Sequence, residues 1–230
     1  MNTVNREEKK FLINIEEFKT KSHYLDSLLL SDEHNGADGY MIRSLYFDTV
    51  YDDDFFDKLD GIETRRKIRL RIYEPNSAYA KLEIKQKQGN MQLKRSLTVS
   101  RADAESLIAG KYDVLLNYKE DFARECYALM QYKCYRPKTI VQYNRKAYIA
   151  KENKIRITFD NNIIATESSF DLFSDNLLMY PVFDKFNVVL EVKFNGFLLD
   201  YIRQFINSIN KSELSVSKYA LARGQSYQDI

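Results

Sequence analysis

The chain has 230 residues, enough to bury a substantial core, and its 30% charged and 44% apolar content is that of a folded protein with extra charge. Thirty-five Lys and Arg face 33 Asp and Glu, so a formal charge of +2 gives little support to bulk attraction for nucleic acid or an anionic membrane, and any electrostatic function has to come from segregation. Seven Gly and three Pro leave no room for a flexible linker; no apolar run approaches the roughly 18 residues of a membrane span, and "MNTVNREEKKFLIN" is too charged for a signal peptide. We therefore read residues 1–230 as one cytoplasmic domain.

In chain order, Arg6 to Asn14 alternates charged and apolar residues as a strand does, and Glu16 to Leu30 has helical spacing. "YMIRSLYFDT" is strand-like, and "YDDDFFDKLDG" reads as a short helix closed by Gly61. Strands follow at Glu63 to Glu74, Tyr79 to Lys87 and Gln92 to Val99, broken by "PNSA" and "QGN". "SRADAESLIAG" carries an N-cap serine and a helix, and "YKEDFARECYALMQYK" a second helix. Strand periodicity returns at Lys138 to Ala150, Lys154 to Phe159, Val182 to Asp184 and Asn187 to Phe194, and helices at Leu198 to Asn210 and Ser217 to Arg223 finish the chain. The pattern predicts an α+β fold with the antiparallel sheet curled or closed into a barrel. Cys126 and Cys134 lack metal-site spacing and are expected as free thiols, and His23 and His34 receive no catalytic role.

Alternation puts Arg65, Lys67, Arg69, Arg71 and Tyr73 on one face of a strand and Arg66, Ile68, Leu70 and Ile72 on the other. The same division gives Lys81, Glu83, Lys85 and Lys87; Arg6, Glu8 and Lys10; Tyr143 and Arg145; Lys154, Arg156, Thr158 and Asp160; and Glu191 with Lys193. One such strand is an ordinary wet face. Six are not, because like charges opposite one another in a ladder destabilise it unless an anion lies among them. Arg forks suit phosphate oxygens and Lys supplies point charges, so the inferred ligand is a chain of phosphates. The sparse carboxylates then suit Mg²⁺ or Mn²⁺.

"REEKKF", "SLYFDT", "RRKIRLRIY", "LEIKQK", "YNRKAY", "KIRITFD", "LEVKF" and "SKY" occur in the order of the VTC-type polyphosphate polymerase domain of the triphosphate tunnel metalloenzymes, which the chain resembles from Arg6 to Tyr219. The resemblance implies an antiparallel eight-stranded tunnel-like β-barrel with peripheral helices. It also implies phosphate contacts from Lys10, Arg69, Arg71, Lys85, Arg145, Arg156 and Lys218, and a metal held by Glu191. Lys94 or Arg95 would add a cation, the loop length leaving open which; Tyr143 and Lys193 are neighbours, Lys193 as a further phosphate contact. Glu8 and Glu83 are secondary metal-binding or lysine-orienting groups. Arg69, Arg71, Lys85, Arg145, Arg156 and Glu191 form the implied catalytic set.

Two departures bear on activity. Arg6, Glu8 and Lys10 replace the Glu-x-Glu-x-Lys of the triphosphatase and cyclase branches, which favours the polymerase-like branch. Ser215 stands where the eukaryotic polymerases have a lysine, removing one phosphate anchor. The expected activity is transfer of the ATP γ-phosphoryl group to inorganic polyphosphate with Mn²⁺ or Mg²⁺. The alternatives are hydrolysis of tripolyphosphate or a nucleoside triphosphate, or a non-catalytic polyphosphate-binding accessory module. Coupling to translocation would require a separate membrane protein partner, which would bring the chain to the cytoplasmic face of a membrane; no nucleic-acid partner is expected.

Overall fold

The computed structural model describes residues 6–89, 91–213 and 217–228. In chain order these form β1 (Arg6–Asn14), α1 (Ile15–Leu28), β2 (Leu30–Ser31), β3 (Tyr40–Asp48), α2 (Asp53–Leu59), β4 (Thr64–Ile72), β5 (Tyr79–Gln88) and β6 (Met91–Ser100). There follow α3 (Arg101–Ile108), α4 (Asp121–Tyr132), β7 (Arg136–Ile149), β8 (Arg156–Thr166), β9 (Tyr180–Pro181), β10 (Asn187–Asn195), α5 (Asp200–Asn207), β11 (Ser212–Glu213) and α6 (Lys218–Gln228). Strand pairing runs β11-β1-β10-β8-β7-β3-β4-β5-β6, with β2 on β7 and β9 on β8. Among the described residues this is an open, 11-stranded path, not the closed eight-stranded barrel expected from the sequence. Closure depends on pairing between terminal strands, which alternation within a strand does not encode. No described helix is long and apolar enough to cross a membrane.

The chain divides into two compact units, each assembled from three segments. The first comprises the described parts of Met1–Met41, Tyr143–Ile164 and Pro181–Ser217. There β1 pairs antiparallel with β10 from Arg6↔Asn195 to Asn14↔Asn187, and β10 pairs with β8 from Lys193↔Arg156 to Val189↔Asp160. This register sends Phe11, Ile157, Phe159, Leu190, Val192 and Phe194 into a core with Leu25 of α1 and Ile202, Phe205 and Ile206 of α5. Glu8, Lys10, Glu191, Lys193 and Thr158 consequently share the other face. Asn14 ends β1 and caps α1, its side chain accepting from Glu17 N at 2.8 Å, with Glu16 and Glu17 favourably placed in the first turn.

The second unit comprises the described parts of Ile42–Gln142, Ala165–Tyr180 and Lys218–Ile230. Its strands β3, β4, β5 and β6 alternate cleanly: Leu45, Ile68, Leu70, Leu82, Ile84 and Leu97 enter a core covered by Leu107 of α3 and Ala123, Cys126 and Met130 of α4. Ser100 ends β6 and begins α3, accepting from Asp103 N at 3.1 Å while donating to its carboxylate at 2.7 Å. Cys126 is buried and Cys134 exposed, and both are free thiols.

Several elements differ from the sequence expectation: α6 runs past Arg223 to Gln228, and the two-residue strands β2 and β11 were not expected. Val182–Asp184 is not a strand; β9 lies just before it, and Val182 makes a single backbone bond to Ile163. β8 begins at Arg156 rather than Lys154 and continues past Phe159 to Thr166, because Asn162, at φ 48°, breaks the alternation without ending the ladder. α5 is shorter than predicted, Asp200–Asn207, since Leu198 and Ile209 enter the core from outside its ends.

Candidate functional site

In the second unit the charged face is organised in rows by strand register. Tyr46 lies opposite Arg69, Arg69 opposite Glu83 and Glu83 opposite Ser96; in the next row Ser44, Arg71, Lys81 and Thr98 are aligned. On the other side Lys67, Lys85 and Lys94 occupy directly opposed positions on three adjacent strands. Three aligned ammonium groups oppose sheet formation.

Glu83 anchors this face. Its side chain is fully buried, and one carboxylate oxygen accepts from Arg69 Nε at 2.7 Å, lies within ion-pair distance of Arg69 Nη2 at 2.7 Å and faces Arg71 Nη1 at 3.8 Å. The other oxygen pairs with Lys94 Nζ. Burial alone would raise the Glu83 pKa, but Arg69, Arg71 and Lys94 outweigh it and hold the carboxyl well below the usual range. Burial lowers the Lys94 ammonium, offset in part by Glu83. Arg69 also donates to the Tyr46 hydroxyl at 3.0 Å, and Arg71 to Ser44 Oγ at 3.2 Å, so both guanidinium groups are oriented. Three cations thus gather on one carboxylate, with Lys67 and Lys85 in the neighbouring row.

The first unit has a cluster of different balance. Lys10 Nζ lies 2.6 Å from Glu8 Oε1, and Lys193 Nζ pairs with Glu191 Oε1 and approaches Glu8 Oε2 at 3.8 Å. Arg145 grips Asp160 through two 2.7 Å bonds, stands 3.9 Å from Glu191 and covers the Tyr143 ring at 5.4 Å. Burial alone would lower the Lys10 and Arg145 pKa values; Glu191 and Glu8 raise Lys10, Asp160 raises Arg145, and both remain charged. Three cations meet three carboxylates here, and Thr158 Oγ1, buried beside them, has no hydrogen-bond partner among the described residues. Gly39, at φ +88°, is required against this strand: a Cβ there would lie 2.2 Å from the Arg145 carbonyl oxygen.

Arg156, although on the same strand face as Thr158, is drawn aside, donating to Asp32 Oδ2 at 2.8 Å and Tyr40 OH at 3.1 Å. Lys218 opens α6, partly buried. Lys94 and Arg95, left as alternatives by the loop length, separate: Lys94 joins Glu83, whereas Arg95 points to the opposite face, pairs with Glu125 of α4 and covers Phe122 at 5.0 Å. Of the two, only Lys94 lies on the face of Arg69 and Arg71, because successive strand residues face opposite ways. Arg66 lies 4.0 Å from buried Asp54 with its side chain partly exposed, and Arg65 donates to Ile62 O at the exposed strand entrance. Ser215 lies outside the described residues.

The sequence reading gave no role to Asp32, Asp48 or Asp160, although "SLYFDT" contains Asp48 and the charged face of "KIRITFD" contains Asp160. Asp160 could have been suspected as the one carboxylate in phase with Arg156 and Thr158; Asp32 carries no local signal. Asp48 accepts from the backbone N–H groups of Thr49, Asp54 and Phe55 at 2.7, 2.9 and 3.0 Å and thereby caps α2.

Among the described residues no three His, Cys, Asp or Glu side chains are placed to hold a metal. Glu8 and Glu191 supply hard oxygen donors near the unpartnered Thr158 hydroxyl, which fits a cation bound by one or two carboxylates and completed by phosphate oxygens. Glu83, enclosed by three cations, is placed to orient them.

An antiparallel sheet with basic rows and buried carboxylate anchors defines an α+β protein suited to bind anionic oxygens. A family model for the VTC domain matches residues 5–227, and the chain belongs to that family. An adenylate cyclase candidate from Bacillus halodurans shares the fold at 14% identity, with a TM-score of 0.53 over 93% of this chain and 95% of that one. A protein of Pyrococcus horikoshii OT3 aligns at 12% identity over 95% of this chain and 99% of its own, with a TM-score of 0.46. No curated protein matches the chain.

Proposed function

We propose that the protein is a metal-dependent phosphoryl transferase of polyphosphate polymerase type, moving the ATP γ-phosphoryl group onto inorganic polyphosphate along a basic sheet face. The observation that carries this reading is the strand register that sets Lys67, Lys85 and Lys94 in one row beside Arg69 and Arg71, a concentration of basic side chains on one sheet face that suits a linear polyanion. Membership in the VTC family supports it.

In the proposed reaction a terminal polyphosphate oxygen attacks the γ-phosphorus, the bond to the β-phosphate bridging oxygen breaks, and ADP leaves with that electron pair. The nucleophile is already anionic, so no general base is needed. The protein contributes in-line positioning and charge stabilisation. Arg69 and Arg71, oriented by Glu83, Tyr46 and Ser44, clamp phosphate oxygens, and Lys85 and Lys94 extend that contact. Within the first unit Lys10, Arg145 and Lys193 offset the charge of Glu8, Glu191 and Asp160 and Arg156 is paired with Asp32; in the second, Lys218 opens α6 as a further phosphate contact. Glu191, with Glu8, would hold Mn²⁺ or Mg²⁺, which supplies Lewis-acid neutralisation of phosphoryl oxygens.

Incubation of the pure protein with ATP and Mn²⁺ is expected to give long-chain polyphosphate and ADP. Free phosphate as the sole phosphorus product would refute polymerisation and leave hydrolysis. The exchange at Ser215 favours one other reading, a binding module without turnover. On that reading Arg69→Ala loses tripolyphosphate binding while Glu191→Gln changes nothing; on ours Glu191→Gln abolishes polymer formation.

A further inference from the structure

Tyr219 follows Lys218 at the start of α6 and is almost fully buried. Its ring stacks on Tyr46 at 5.1 Å and meets Phe55 edge-on at 6.3 Å, and its hydroxyl donates to Asp48 Oδ2. Asp48 is itself immobilised by three backbone N–H groups at the end of β3 and the start of α2. Burial, then Asp48, raises the phenol pKa far above its usual value, so the hydroxyl remains a donor. Tyr46, on the other side of the stack, accepts from Arg69 at 3.0 Å. A ring that only filled space would serve equally well as phenylalanine, since a buried hydroxyl costs stability unless it is bonded. The bond to Asp48 is directional, and it fixes the rotation of the helical turn that carries Lys218.

We infer that Asp48 and Tyr219 are positioning residues that set the Lys218 ammonium relative to the Arg69 guanidinium for a shared phosphate chain. The inference rests on the phosphate-binding reading of Lys218 above. A lysine on a helix not registered to the sheet would reach the same anion with less favourable geometry, and misplacement of about 1 Å is enough to lose much of such a contact. The hydroxyl therefore acts through Lys218, and its effect has to vanish when Lys218 is gone.

The test is a double-mutant cycle on tripolyphosphate affinity, measured by calorimetry on the full chain, with Tm recorded for each variant. Lys218→Ala is expected to weaken binding about tenfold and Tyr219→Phe about fivefold, the scale of one hydrogen bond to a charged group or its misdirection. In the Lys218→Ala background, Tyr219→Phe is expected to change affinity less than about twofold. Asp48→Asn weakens the same bond from its other end and must show the same dependence on Lys218, which keeps the test available if Tyr219→Phe does not fold. Unchanged affinity in Tyr219→Phe, or an equal loss with and without Lys218, overturns the inference alone. Full affinity in Lys218→Ala overturns the phosphate reading of Lys218, and the inference with it.

Discussion

Replacing Glu83 by Gln removes the anion from a fully buried site and leaves Arg69, Arg71 and Lys94 facing a neutral amide. Loss of one partner from a buried ion pair costs about 3–5 kcal/mol. The lower end applies here because Arg69 retains Tyr46, Arg71 retains Ser44 and Lys94 is half-exposed, which leaves about 3 kcal/mol. For a chain of this size that corresponds to a fall of roughly 6–12 °C in Tm at pH 7. The pH dependence follows from the depressed carboxyl. Its stabilising contribution is complete above the unfolded pKa of about 4.3 and is lost as pH falls through that value toward the folded one. Thermal unfolding of parent and variant from pH 7 down to pH 3 should therefore show a gap that is constant near neutrality and shrinks below about pH 4.3. An unchanged Tm at pH 7, or a gap that widens in acid, would refute the assignment of Glu83 as the anchor of the three cations.

Asp160→Asn leaves the buried Arg145 guanidinium without its two-bond partner and is expected to cost about 3–5 kcal/mol, read by urea unfolding; a loss below about 1 kcal/mol would contradict the geometry. Gly39→Ala forces a Cβ against the Arg145 carbonyl at a left-handed position and should lower stability by more than about 1 kcal/mol, whereas Gly61→Ala, with open space around it, pays only the backbone strain and should cost less. Tripolyphosphate at about 100 times its dissociation constant should stabilise the parent by roughly 2.7 kcal/mol, and absence of any thermal shift, with or without Mn²⁺, would refute anion binding.

Much of the fold was legible in the sequence because a strand repeats every two residues and a helix about every 3.6. β1 could be bounded at Arg6 and Asn14, and the buried row Ile68, Leu70 and Ile72 with the charged row Arg69 and Arg71 followed directly. The errors fell where the local pattern is polar or short, at Asn162 within β8 and at Val182–Asp184. The site was legible as a set of basic faces and as a family resemblance. Its internal pairing was not, since Arg145 meets Asp160 and Arg156 meets Asp32 only through chain crossings of 15 and 124 residues.

Alternation was therefore sufficient to state which residues turn away from the core and that cations predominate there. It could not state that Glu83 serves Lys94 while Arg95 serves Glu125, because that depends on the facing of one strand against its neighbours and on where α4 packs. Nor could it separate a cation-rich cluster at Glu83 from a balanced one at Glu8, Glu191 and Asp160. Periodicity is a property of each strand alone, whereas neutralisation is decided over a few ångströms by side chains that only the strand register and the packed helices bring together.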